Sequence, residues 1–126
     1  MTGINPPLRL RIELSWPDAC LWPNHRAHWS KKAQSTKEAR EESMWLTTLG
    51  CMRIRPSPHF VGSIPLRIIG HKPNARKRDL DNFQAACKAY LDGIAQALSV
   101  DDARFQPVTE WGDDKRPGGG VTMVIG

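Results

Sequence analysis

Cysteine is too scarce in this 126-residue chain, and too poorly spaced, to build a disulfide framework. There are three, Cys20, Cys51 and Cys87, an odd number with no Cys-x-x-Cys pair. That usage fits a reducing cytoplasm. No long apolar run is present, so neither a transmembrane helix nor a signal peptide is expected and no membrane is implied. Internal repeats and low-complexity tracts are missing too, which leaves no sign of a repeat architecture. Cys20, His25 and His28 lack a fourth ligand at zinc-finger spacing, which argues against structural zinc.

What is there fits one domain over residues 1–126. Hydrophobic residues make up 40% and charged residues 25%, ordinary for a globular protein. The formal net charge is +5, a balance that favours polyanionic partners such as nucleic acid. So short a chain acting on a large substrate would need a second copy, which points to a homodimer.

Leu8 to Trp16 alternates apolar and charged residues, the period of a half-buried strand. Pro17 to Trp29 reads as a loop. Ser30 to Leu49 reads as a helix with a capping box at Ser35 to Glu38, an apolar later face of Met44, Trp45 and Leu49, and a stop at Gly50. Cys51 to Ser63, with Pro56 and Pro58, is a loop. Ile64 to Gly70 is a strand. Lys72 to Arg78 is a basic loop, and Leu80 to Leu98 a second helix whose Phe83, Cys87, Tyr90, Leu91, Ile94 and Leu98 share one face. Gln106 to Trp111 and Val121 to Ile125 read as strands joined by a Gly-rich hairpin turn. The order gives an α/β domain, a mixed sheet of about four strands packed with two main helices.

The chemistry concentrates between Lys72 and Phe105. Four cations, Lys72, Arg76, Lys77 and Arg78, precede Asp79-Leu80-Asp81-Asn82, and Asp101-Asp102 follows one helix later. Carboxylates two apart in extended backbone aim the same way and repel unless a cation lies between them. Hard oxygen donors suit Mg²⁺ or Mn²⁺. Such an ion among arginines and lysines suits phosphodiester hydrolysis, with the cations holding the phosphate backbone and the metal activating water. Simpler readings stand beside this one. Asp79 and Asp81 are also good helix caps, Asp101-Asp102 can be a solvated turn, and Arg76 to Arg78 a solvated face.

The basic run, Arg78-Asp79-Leu80-Asp81-Asn82, a helix bearing Lys88 and Asp92, and then Asp101-Asp102 together resemble the RusA-type Holliday junction resolvases. His71 and Pro73, the opening strand that runs into Trp16-Pro17, and Pro23-Asn24-His25 are similar to that family as well. The resemblance implies a homodimeric endonuclease, often phage- or prophage-encoded, that cuts four-way DNA junctions by paired nicks with Mg²⁺ or Mn²⁺. It also implies that Asp79, Asp81 and Asp102 are the metal-binding carboxylates. One departure matters. The family's helix lysine falls four residues after the second Asp, where this chain has Ala85, and the nearest lysine is Lys88. Lys88 is therefore the candidate for the catalytic lysine, with a plain surface lysine as the other reading.

Outside this segment, Asn24-His25-Arg26-Ala27-His28-Trp29 interleaves cations, imidazoles and an aromatic ring, suited to holding phosphates and stacking on exposed bases. A structural loop with Trp29 in the core is the alternative. The candidate DNA contacts are thus Lys72, Arg76, Lys77, Arg78, Asn24, His25 and Arg26. Two rival functions share these features: a metal nuclease acting on flaps or forks, and a non-catalytic DNA-binding protein.

Overall fold

The computed structural model describes residues 9–54 and 60–126. The first residue of the expected opening strand, Leu8, and both prolines of the expected 51–63 loop lie outside them. The order of elements is β1 (Leu10–Leu14), α1 (Trp29–Arg53), β2 (Ile64–His71), α2 (Leu80–Ala86), α3 (Lys88–Leu98), β3 (Phe105–Trp111) and β4 (Gly120–Ile125), with single 3₁₀ turns at Ala19–Leu21 and Asp102–Arg104. The expected class, a single α/β domain on a mixed four-stranded sheet, is what forms.

The sheet order is β1-β4-β2-β3. β4 runs antiparallel to both β1 and β2, and β3 runs parallel to β2. The expected β3–β4 hairpin is therefore absent from this sheet. β3 reaches its place through the helical crossover from β2, and β4 then passes over β2 to lie in the middle. Composition explains the choice. β4 carries Val121, Met123 and Ile125, all fully buried, whereas β3 carries Pro107 and an exposed Val108. A strand buried along nearly its whole length belongs in the middle of the sheet, and one with a run of exposed residues at its edge.

The register places Ile12, Met123 and Ile68 side by side, and Leu10, Ile125 and Leu66 in the next row. These residues share the core with Phe83, Cys87, Tyr90, Leu91 and Ile94 from the helices.

α1 departs from its expected form at both ends and along its face. It begins at Trp29, where the His28 side chain accepts from the Ser30 N–H. Ser35 lies buried nearly two turns further in, so the expected capping box does not form. The helix also runs through Gly50 to Arg53. Gly50 meets the Leu10 side chain so closely that a Cβ there would come within 2.7 Å of it. The buried face is Ser35, Ala39, Ser43 and Thr47, while Trp45 and Leu49 are exposed. α1 thus packs on α3 through small residues, which lets the two backbones approach closely.

Gly93 of α3 marks that approach. A Cβ there would overlap the Ser43 hydroxyl and the Arg40 carbonyl oxygen. Alanine in a helix interior is normally favoured over glycine by about 1 kcal/mol. Here the obstacle includes α1 backbone, which cannot rotate away. Gly93→Ala is expected to lose roughly 1–3 kcal/mol net, a melting temperature lower by on the order of 5–10 °C. A thermal melt followed by circular dichroism checks this. An unchanged or raised melting temperature would show that the two helices can separate at no cost.

The second expected helix is two. Cys87, at φ −88° and ψ 0°, separates α2 from α3, and its N–H is shared between the carbonyls of Phe83 and Gln84. Backbone bonds from Cys87 to Phe83 and from Leu91 to Cys87 span the break, and Lys88 is the first residue beyond it.

Candidate functional site

Asp79 is the N-cap of α2, and its Oδ1 accepts from the Asp81 N–H at 2.8 Å. The capping reading of Asp79 is therefore realised. Asp79 keeps its second oxygen outside this bond. Asp81 stands in the first turn of α2 and is exposed.

Lys88 opens α3. Its ammonium lies 2.6 Å from Asp92 Oδ1 and 2.7 Å from Asp102 Oδ2. Asp102 sits in the 3₁₀ turn that leads into β3, so this one lysine ties the end of the crossover to the start of α3. The lysine holds the Asp102 carboxyl below the ordinary aspartate range, and Asp102 followed by Asp92 raises the Lys88 ammonium. Both groups are thereby kept charged. Asp101, by contrast, caps the 3₁₀ turn through the Ala103 N–H. An open concavity of about 440 Å³ has Asp81, Ala85 and Lys88 on its walls. Lys88 thus touches Asp102, 14 positions away in sequence, and shares a concavity with Asp81.

The three candidate carboxylates are not gathered into one coordination shell. Among the described residues, no three His, Cys, Asp or Glu side chains form a group able to hold a metal. The chemistry of the donors does suit a hard divalent cation. Asp79 and Asp102 each spend one oxygen, on the Asp81 N–H and on Lys88, and each retains the other. Binding would have to draw these carboxylates together.

The cationic loop lies against Asp79. Arg78 donates to the Arg76 carbonyl and to Asn74 Oδ1, and its guanidinium lies 5.4 Å from the centre of the Trp16 ring. Arg76, Lys77 and Arg78 form one wall of a second cavity, of about 480 Å³, to which Asn24 and His25 contribute from the β1–α1 connection. Sequence placed these two segments in one function, and the fold places them on one cavity. Lys72 stands elsewhere, with its ammonium 4.7 Å from the Trp111 ring. Arg26 is exposed beside His25. Trp29 is 76% exposed, so the alternative that buries it in the core is corrected. Tyr90 is a core residue whose hydroxyl donates to the Ser15 carbonyl. Cys87 is fully buried, and burial pushes its thiol far up, as a small apolar residue requires.

Two groupings escape a reading of the sequence. The first is aromatic. Trp16 lies 5.7 Å from Trp22, 5.4 Å from Phe83 and 6.3 Å from Trp111 between ring centres, and Trp16 and Trp22 face the 480 Å³ cavity. Their placement on either side of Pro17 was the available signal. The second is a polar ring on the sheet. The buried His71 has Nδ1 2.6 Å from Asp114 and Nε2 2.7 Å from Thr122, and the Thr122 hydroxyl donates to Glu13. Arg116 closes the ring by donating to Asp114 and Glu13. Arg116 first, and His71 second, hold the Asp114 carboxyl at about 2. The ring fastens the long β3–β4 connection across the sheet. His71 accordingly serves the fold and stands apart from the acidic group.

The fold and these groups define a single-domain α/β protein with a lysine-bridged acidic cluster beside a cation-lined aromatic cavity. No protein-family profile matches the chain. It is 34% identical over 116 residues to an uncharacterized protein of Xylella fastidiosa (strain Temecula1 / ATCC 700964), across 90% of this chain and 74% of that one, and it belongs to the same family. No helix among the described residues is long and apolar enough to cross a membrane.

Proposed function

We propose that the protein is a metal-dependent endonuclease for branched DNA, the activity that its resemblance to RusA-type resolvases implies, with four-way junctions as substrate. The observation that carries this reading is the Lys88 bridge to Asp102, with Lys88 and Asp81 on the walls of one concavity. The bridge joins the residue that stands in for the family's lysine to the third expected carboxylate. A plain surface lysine would pair with any carboxylate in reach, whereas Lys88 pairs with the one that the resemblance assigns to the metal. Asp79 caps α2 whatever the function, but in a non-catalytic DNA-binding protein carboxylates set beside the cations would repel phosphate.

Asp79, Asp81 and Asp102 would hold Mg²⁺, or Mn²⁺ in its place. The ion would supply activation of water and neutralisation of charge developing on the phosphate. Arg76, Lys77 and Arg78 bind and orient the strand through its phosphates. Lys88 has two carboxylates to choose from. With Asp102 among the residues that hold the cation, Asp92 would keep the ammonium at the concavity. There it would offset charge on the phosphate in the transition state. Incubation with a synthetic four-way junction tests this. Cutting is expected in Mg²⁺, with binding but no cutting in Ca²⁺, whose larger and looser shell activates water poorly. Cutting in EDTA would remove the metal from the account.

Two nicks need two sites, so the same reading includes a symmetric homodimer. Trp45, Leu49 and Met52 form an exposed apolar stripe at i, i+4 and i+7 of α1, 61%, 45% and 65% accessible, and we place the contact there. Trp45→Arg is expected to shift sedimentation from dimer to the 14.2 kDa monomer. A wild-type protein that sediments as monomer with and without junction DNA contradicts the homodimer.

A further inference from the structure

The cavity of about 480 Å³ between the β1–α1 connection and the cationic loop holds more than phosphate binding requires. A phosphate site needs donors and positive charge, and Arg76, Lys77 and Arg78 supply both. It does not need an apolar surface, yet Trp16 and Trp22, tilted 37° to each other, supply one. Nor does it need amides, yet Asn24 and Asn82 both line the same space. The amide that the loop uses for its own bonding is a different one, Asn74, which accepts from the Arg76 N–H and from Arg78.

These three kinds of group correspond to the three parts of a nucleotide. Indole rings offer a stacking face to any base. Asparagine pairs a donor and an acceptor on one plane, the arrangement that reads a base edge. The cations take the phosphate. The Arg78 guanidinium lies 5.4 Å from the centre of the Trp16 ring, so positive charge stands beside the aromatic surface. The volume falls within the range of about 300–1,000 Å³ typical of small-ligand sites. Asp79 lines the same cavity, so whatever occupies it lies beside one of the proposed hydrolytic carboxylates.

We infer that this cavity takes one unstacked nucleotide of the bound DNA strand, its base against Trp22 and Trp16, its edge read by Asn24 and Asn82, and its phosphate on Arg76 to Arg78. The inference rests on the proposed nuclease reading and adds to it a single-nucleotide subsite. Extruding a base costs least where pairing and stacking are already broken, and the crossover of a four-way junction is such a place. The subsite would therefore favour branched over continuous DNA without contacting the branch as a whole.

The test is an abasic scan in Ca²⁺. Junctions with one abasic nucleotide at each position flanking the crossover are titrated with the protein, and affinity is read by fluorescence anisotropy. At one position the missing base is expected to weaken wild-type binding by about five- to a hundredfold. Trp22→Ala should weaken binding of the intact junction similarly but leave that abasic junction no weaker still, because the two changes remove one contact. Trp22 is half-buried and its loss can unfold the chain. Asn82→Ala on the surface of α2 therefore serves as a second variant, expected to keep the wild-type circular dichroism spectrum and to erase discrimination among the four bases at that position. Abasic effects below twofold everywhere, or equal losses for intact and abasic junctions, would overturn the inference. So would a free deoxynucleoside monophosphate that binds more tightly than the junction. Because the readout is binding, base-dependent binding without cutting in Mg²⁺ sinks the nuclease reading alone. Cutting without base dependence sinks the subsite alone.

Discussion

Asp79→Asn, Asp81→Asn and Asp102→Asn are each expected to abolish junction cutting while binding stays near wild type. Asparagine keeps the shape of aspartate and removes the charge that holds a cation. Even partners outside the coordination shell cost roughly 10–100-fold when changed at metal sites, so loss of a direct ligand should exceed about a hundredfold in rate. Binding is set by the cations and can tighten when a negative charge near phosphate is removed. The fold should tolerate all three changes. Asparagine caps helices as well as aspartate, so Asp79→Asn preserves the start of α2. Asp81 is exposed in the first turn of that helix. Asp102→Asn loses an ion pair whose partners are 59% and 43% accessible, an interaction worth no more than about 1 kcal/mol. Lys88 retains Asp92. Single-turnover cutting with a matched binding titration separates the two effects. Full cutting by Asp81→Asn at saturating Mg²⁺ would remove Asp81 from the site.

Lys88→Ala should slow cutting at saturating DNA by more than tenfold, with little change in affinity. A charge used mainly in the transition state lowers the rate constant and leaves ground-state binding alone. A lysine that only held phosphate would do the reverse: affinity and its salt dependence would fall while the rate at saturation held. The double change Ala85→Lys, Lys88→Ala moves the charge to the position that the RusA resemblance indicates. Ala85 and Lys88 line the same concavity as Asp81, on either side of the break at Cys87. A lysine at 85 therefore reaches the same space, and activity should return in part. A wild-type rate for Lys88→Ala would leave the aspartates as the whole site.

The residue types of the acidic site were legible in the sequence, and their assembly was not. Asp79 and Asp81 stand out by spacing and by their basic surroundings, whereas Lys88 and the choice of Asp102 over Asp101 come from the resemblance to RusA-type resolvases. The bond between Lys88 and Asp102 joins residues 14 apart across a helix and a 3₁₀ turn, and local pattern does not announce how those pack. The alternation of β1 was plain because one face is buried and the other wet. The position of β4 was hidden because a glycine-rich connection looks the same whether it closes a hairpin or crosses a neighbouring strand. α1 misled for a different reason. Its buried face is built of Ser35, Ala39, Ser43 and Thr47, which carry little hydrophobic signal, while Trp45 and Leu49 carry a strong one on the exposed side. The aromatic cavity joins Trp16 and Trp22 to residues about 60 positions away, a proximity that only the folded chain creates.

The central claim is tested most directly by offering the wild-type protein two substrates of the same sequence, a four-way junction and the linear duplex of its arms, with Mg²⁺ and with EDTA. The account predicts paired, symmetric nicks in the junction with Mg²⁺, an uncut duplex, and no product from either substrate in EDTA. A junction left intact with Mg²⁺ by protein that binds it would contradict the account and leave a DNA-binding protein in its place.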